Sequence, residues 1–410
     1  MPVWQHIRPG LLLVFLVVLS LTNLAMSAEN SFTPSLNIKG EYTDNLFFDQ
    51  TNKKDQFIST FSPGFEVKRR TERGTYNLLG VIDRRVYKQN PEFNDWNYFW
   101  DGKINYQLTP KLSAFTEARY RKNSSPDQFI DVTGVVLNTI QPTYTNDYSL
   151  GGTYYLSEKT VADLSYGVVR VTYDNPENMD YVGNSANLSL TRDLEELFSS
   201  TIGQINLGYS HYSFNDPAIG FYHPRNSILN NYTCTIGAQH ALSEIWSVNL
   251  NVGPRYTTSE FDTYTPGNVK RKTTKNWGPG GKLDLTYNGE KTSGSLSFSQ
   301  EVSPAGGSYG ATERTTVRLS VSQRFTDKLL GNVSATYFLN QADAQQFSGS
   351  GGSLDQETYS ISPTIRYNFN NDLGVEFTYN FTRIKDKENK TTADRNLCFF
   401  RLVYKHPFFE

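Results

Sequence analysis

From Tyr359 onward every second residue is apolar or aromatic: Tyr359, Ile361, Pro363, Ile365, Tyr367 and Phe369, with Ser360, Ser362, Thr364, Arg366 and Asn368 between them. After Asn370-Asn371-Asp372 the alternation resumes. Leu373, Val375, Phe377, Tyr379 and Phe381 take one side; Glu376, Thr378, Asn380 and Thr382 take the other. A two-residue period is that of a β-strand with one apolar and one polar face. Two such runs across a short Asn/Asp turn make an antiparallel hairpin. Each run is long enough to cross a bilayer as a tilted strand.

The unit recurs along the chain without a linker, so residues 28–410 read as one domain. Long connections fall near Asn123–Tyr144, Asn175–Asp180, Phe214–Pro224, Thr257–Lys275, Ser303–Ala311, Gln341–Asp355 and Lys385–Ala393. Short turns fall near Thr109–Lys111, Ser157–Lys159, Leu242–Glu244, Asn288–Lys291 and Thr326–Lys328. This alternation predicts an all-β, antiparallel up-and-down transmembrane β-barrel of about 18 strands (roughly 16–18), with long loops at one rim and short turns at the other. Closure has a simple cause: an unpaired backbone group in hydrocarbon costs several kcal/mol, so a spanning sheet has no free edge. Trp96, Trp100, Tyr144, Tyr287 and Tyr404 are placed to form interfacial girdles.

Composition agrees. Low mean hydropathy excludes a helical membrane bundle but not a barrel, whose lumen and loops are polar. With 39 basic and 41 acidic side chains the chain lacks the excess positive charge that a nucleic-acid partner would call for. Met1–Ser27 reads as a signal peptide: a weakly basic start, an apolar run from Leu11 to Leu19, then Ala25-Met26-Ser27. Export without a stop-transfer helix predicts the outer membrane of a Gram-negative bacterium. Expected partners are outer-membrane lipid, lipopolysaccharide and the barrel-assembly machinery.

A barrel this wide is not filled by its own wall side chains. The polar face predicts pore-lining charges of both signs: Asp83, Arg85, Asp101, Lys103, Glu117, Arg119, Arg121, Arg318, Arg366 and Glu376. They form either a salt-bridge network or a selectivity surface for charged or sugar-like solutes. Ser295, Ser297 and Ser299 favour an open lumen over a plugged one. Catalysis finds no support. Gly306-Gly307-Ser308-Tyr309-Gly310 matches a nucleophile motif but lies between two strands, where no strand-to-helix elbow forms. His211, His223, His240 and His406 are scattered. Asp44, Asp49 and Asp55 lack the spacing of a calcium loop. No cofactor or metal is expected, and Cys234 and Cys398 fit neither metal spacing nor a disulfide framework.

The opening strands carry a resemblance. The chain reads Pro34-Ser35-Leu36, then Tyr42-Thr43-Asp44-Asn45-Leu46-Phe47, then Ser62-Pro63-Gly64. Over Pro34–Val67 it resembles the outer-membrane β-barrel family associated with PEP-CTERM/exosortase and exopolysaccharide gene clusters. Tyr42, Asp44, Asn45 and Phe47 are the positions that match the motif. The resemblance implies a porin-like barrel tied to surface polysaccharide, and brings no biochemical activity with it. Asp44 and Asn45 are expected to shape the first loop through local backbone bonds. The leading expectation is passage of an exopolysaccharide or small polar solutes. The rival is a non-conducting barrel whose long loops bind partners or polysaccharide.

Overall fold

A computed structural model describes residues 29–136, 140–175, 178–216, 225–265, 268–306, 310–343, 346 and 353–408. The signal segment and Gly307–Tyr309 of the serine motif lie outside them. Eighteen strands form one sheet. They are β1 (Glu29–Thr43), β2 (Gln56–Arg70), β3 (Gly74–Tyr87), β4 (Asp95–Thr109), β5 (Leu112–Asn123), β6 (Thr143–Ser157), β7 (Thr160–Tyr173), β8 (Asp180–Asp193) and β9 (Thr201–Asp216). There follow β10 (Arg225–Ala241), β11 (Trp246–Thr265), β12 (Asn268–Asn288), β13 (Thr292–Pro304), β14 (Ala311–Arg324), β15 (Leu329–Ala342), β16 (Leu354–Asn368), β17 (Leu373–Asp386) and β18 (Thr391–Lys405). A single helical turn, α1 (Ile130–Thr133), interrupts the β5–β6 loop.

Every strand pairs antiparallel with its sequence neighbours, and β1 also pairs with β18, so the sheet closes on itself. Alternation along each ladder sorts the side chains. Ile38, Phe57, Phe61, Leu150, Leu188, Ile236, Leu283, Ile365 and Phe400 stay exposed, an apolar exterior no water-soluble wall would keep. Aromatic belts bound this band. Tyr209, Tyr232, Tyr256 and Trp277 run in successive ring contacts of 5.1, 6.3 and 4.7 Å on the long-loop side. Trp246 and Tyr287, 4.8 Å apart, mark the short-turn side. A closed antiparallel barrel with an apolar band between aromatic belts belongs in the bacterial outer membrane.

The first strand begins at Glu29. One expectation needs correction. The segment Thr257–Lys275 is not a loop: β11 and β12 stay paired to Thr265 and Asn268. Beyond the membrane the outward face of this hairpin is wet, while its buried inward face carries polar Thr257 and Ser259 beside Phe261, so hydrophobic alternation disappears while the ladder continues. The two cysteines are free thiols, on strands eight places apart.

Candidate functional site: a loop across the lumen

The β5–β6 connection turns into the barrel instead of standing above it. Its root is fixed by Ser124, whose amide and hydroxyl donate to Asn97 Oδ1 at 3.0 and 3.1 Å. Its tip docks on the far wall. Arg318 Nη2 on β14 donates to the Asp131 carbonyl at 2.5 Å. Asn340 Nδ2 on β15 donates to the Thr133 carbonyl at 2.8 Å. On β16, Thr358 Oγ1 and Gln356 Nε2 donate to the Gly134 carbonyl at 2.7 and 3.2 Å. In the circular strand order β14 stands nine places from β5, half of the circumference. The loop therefore spans the lumen.

Gly134 explains how the chain fits there. It ends α1 at φ 72°, a left-handed conformation that costs glycine little. A Cβ at this position would lie 2.6 Å from Cβ of Phe338. Phe338 is itself buried under the loop, with the Arg318 guanidinium 5.5 Å from its ring centroid.

A buried ion pair holds the loop's middle. Asp127 accepts from Arg395 Nη1 on β18 at 2.9 Å and also from the Ser125 hydroxyl. Burial alone would raise this carboxyl. The Arg395 and Arg85 guanidiniums and the hydrogen bonds from Ser125 and Arg395 outweigh it, holding Asp127 well below the usual carboxylate range. Asp131 behaves oppositely: burial and the neighbouring Asp127 charge raise it, against weaker pulls from Arg395 and Arg318.

Residues of the Tyr42–Phe47 stretch and their neighbours prop this loop. Asn45 is fully buried, and its side-chain amide bridges Asp49 and the Asp394 carbonyl at 2.7–2.9 Å. Asp44 accepts from the backbone and side-chain amides of Asn396 at 2.8 and 2.7 Å. Local turn shaping is thus only half of their role; the pair also ties the first loop to the last strand across the barrel closure. Phe48 turns inward to pack on Ile130 and Ala393, with Arg395 4.4 Å over its ring. Phe47 meets Phe93 edge-on at 5.9 Å. Tyr42 is exposed on the outer wall.

The sequence-predicted charges fall on the inner face by register, in three groups. Arg119 is the hub of the first, pairing with Glu117, with Asp101 at 3.3 Å and with Asp147 at 3.2 Å. Lys103 joins through Glu117 at 3.3 Å. The second surrounds a cavity of about 410 Å³ against β1–β5, lined by Lys39, Asp83, Arg85, Phe99, Arg121 and Arg401 among others. Glu41 holds Lys39 at 2.5 Å and Arg85 at 3.4 Å. Arg121 has no carboxylate partner among the described residues and lies 5.2 Å over the Phe99 ring. In the third, Glu376 faces Arg366 in the ladder and pairs with Arg401 at 2.6 Å. Arg318 belongs to the loop dock. The lumen carries charges of both signs, with cations in excess around the β1–β5 cavity, and is narrowed by a crossing loop, not the open tube that the serine-rich wall suggested.

Sequence reasoning missed Asp127, Asn340, Gln356, Thr358 and Arg395. One signal was available: Phe129-Ile130-Asp131-Val132, followed by Val135-Val136, is too apolar for a loop that stands in water.

No family model matches the sequence. No curated protein matches it either. Solved structures do resemble its fold. The unliganded ferric citrate transporter FecA aligns with a TM-score of 0.51 at 8% identity, over 89% of this chain and 61% of that one. The ferric-catecholate import receptor Fiu of E. coli K12 gives 0.50 at 8% identity, over 92% and 82%. The outer membrane protein OpdK of Pseudomonas aeruginosa gives 0.46 at 8% identity, over 92% and 99%. These likenesses are of fold alone: the chain is an outer-membrane β-barrel.

Proposed function

We propose that the barrel is a constricted channel for polar solutes, with preference for anionic sugars or short polysaccharide segments. The observation that carries this reading is the β5–β6 loop bridging opposite walls beside a chamber lined by Lys39, Arg85, Arg121 and Arg401. Opposed charges at a constriction orient a solute's dipole and discriminate by sign. Arg121 stacked on Phe99 offers a flat cationic surface next to an aromatic one, suited to a carboxylated sugar ring. The link to exopolysaccharide rests on the likeness of Pro34–Val67 to barrels of such gene clusters. Import and export are both compatible with this geometry.

A second reading has its own support. Met179, Phe214, Leu229, Val302 and Ala311 form a buried cluster on the long-loop side of the lumen. A barrel so filled could serve as a structural platform whose loops bind polysaccharide. Liposome swelling separates the two. Faster swelling in glucuronate than in glucose, at matched osmolarity, supports the channel. A folded barrel that admits neither rejects it and leaves the platform reading.

A further inference from the structure

The wall is discontinuous between β12 and β13. Their ladder runs only from Asn288–Ser293 to Gly281–Gln300. Beyond it β12 continues to Asn268 while paired only with β11, and β13 continues to Pro304 while paired only with β14. The sequence builds this break. Pro254 faces Pro279 across β11–β12. Facing residues of an antiparallel ladder exchange both hydrogen bonds or neither. Two prolines can exchange none, so the missing donor of Pro279 points at β13. Proline is a residue of sheet edges, and Pro304 ends the opposite edge.

Above the break the two sides overlap. Val302, Ala311 and Glu313 lie on the outer face of β13–β14 by register. Yet Val302 and Ala311 are buried in one cluster with Phe214 and Leu229 of the inner face of β9–β10. Glu313 accepts from Arg255 Nη2 of β11 at 2.7 Å and from Asn276 Nδ2 of β12 at 3.2 Å. The β13–β14 tip therefore sits inside the barrel, lapped by β11–β12 from outside. Pro279 stands two residues below Trp277, a belt residue that is 70% exposed. The break thus opens at the level of the outer-leaflet acyl chains.

Behind it lies a buried cation with spare donors. Arg255 is 2% exposed, and its Nε and Nη1 have no hydrogen-bond partner among the described residues. Gly278 makes room for it; a Cβ there would lie 2.3 Å from Arg255 Nη2. Leaving guanidinium donors idle in a buried site is costly unless an acceptor arrives. An acceptor reaching this point from the membrane carries an acyl chain.

We propose that the β12–β13 break is a lateral portal through which a single-chain anionic amphiphile moves between the outer leaflet and the lumen, with the β13–β14 tip as its door and Arg255 as its headgroup site. This is independent of the polar-solute reading, and conductance or swelling results do not decide it.

The test uses the full barrel refolded into phosphatidylcholine liposomes, with folding checked by heat-modifiable gel mobility. The probe is hexadecanoate carrying a diazirine near its chain end; its methyl ester is the uncharged control. The portal predicts photo-adducts at Leu229, Val302 or Ala311, and labelling by the acid about tenfold above the ester, the size of a charged hydrogen bond. Arg255→Gln removes that preference, whereas Glu313→Gln frees the door and raises labelling. If Arg255→Gln fails to fold, Glu313→Gln and the ester comparison still decide. Unlabelled hexadecanoate competes if the head is a carboxylate site, and lysophosphatidate if a phosphate is preferred. Adducts confined to the outer-wall residues Leu283, Leu296 and Phe298, equal labelling by acid and ester, or competition by neither amphiphile overturns the proposal.

Discussion

Replacing Asp127 by Asn should loosen the lumen loop without disturbing the wall. Asp127 belongs to no strand, so the ladders are untouched. The substitution keeps the volume but leaves Arg395, 4% exposed, without its counter-charge. Breaking a buried pair by removing one partner costs about 3–5 kcal/mol. The Phe48 ring stays over Arg395 and partly compensates the bare charge, by up to about 2 kcal/mol when desolvated. A net loss of about 1–3 kcal/mol raises the undocked fraction of the loop about 5- to 150-fold. Four further hydrogen bonds to the far wall, about 1 kcal/mol each, keep the docked form in the majority. Single-channel recording should therefore show the parent conductance interrupted by new, brief, larger openings. Asp131→Asn is the control: it removes a carboxylate already disfavoured beside Asp127, and should not add such openings. A folded Asp127→Asn barrel with an unchanged record would refute the argument that this pair holds the constriction.

Acidification from pH 7 to about 4 should leave the constriction docked. A carboxyl depressed in the folded state contributes stability that is present above its unfolded pKa and lost only as pH falls through the folded one, here far below the ordinary aspartate value. Asp131, raised, protonates earlier and relieves its repulsion with Asp127, so recordings at mildly acidic pH should show no new openings. Asn45→Ala should cost about 2–3 kcal/mol through its lost bonds to Asp49 and Asp394, lowering the temperature of the gel-mobility shift that marks barrel unfolding. Arg121→Glu should shift the reversal potential toward cation preference more than Arg119→Glu. The reason is that Arg121 has no carboxylate partner among the described residues, whereas Arg119 is surrounded by three.

The wall was legible because hydrocarbon on one side and water on the other impose a two-residue period on Tyr359–Phe381 and its counterparts. The period fails where that contrast ends. Glu260, Thr273 and Lys275 sit above the membrane on extended strands whose buried inward face is itself polar at Thr257 and Ser259, and they read as loop. The inward charges were legible for the same reason as the wall. The dock was not: Asn340, Gln356 and Thr358 are ordinary polar residues of the inner face until a loop nine strands away arrives on them. The same holds for Arg255. Its place on the inner face follows from alternation, but its partner Glu313 lies on an outer-face position, reached only because β13–β14 tucks inside. Long-range folding of loops into a lumen leaves little periodic trace. The apolar run Phe129–Val132 and the paired prolines Pro254 and Pro279 are the marks it left.

The crossing loop is tested most directly by single-channel conductance of the barrel compared with a variant in which residues 127–136 are replaced by a short Gly-Ser turn. The account predicts small discrete steps in the parent and steps several-fold larger in the variant, both correctly folded. Equal conductance in the two barrels would contradict a loop that spans and narrows the lumen.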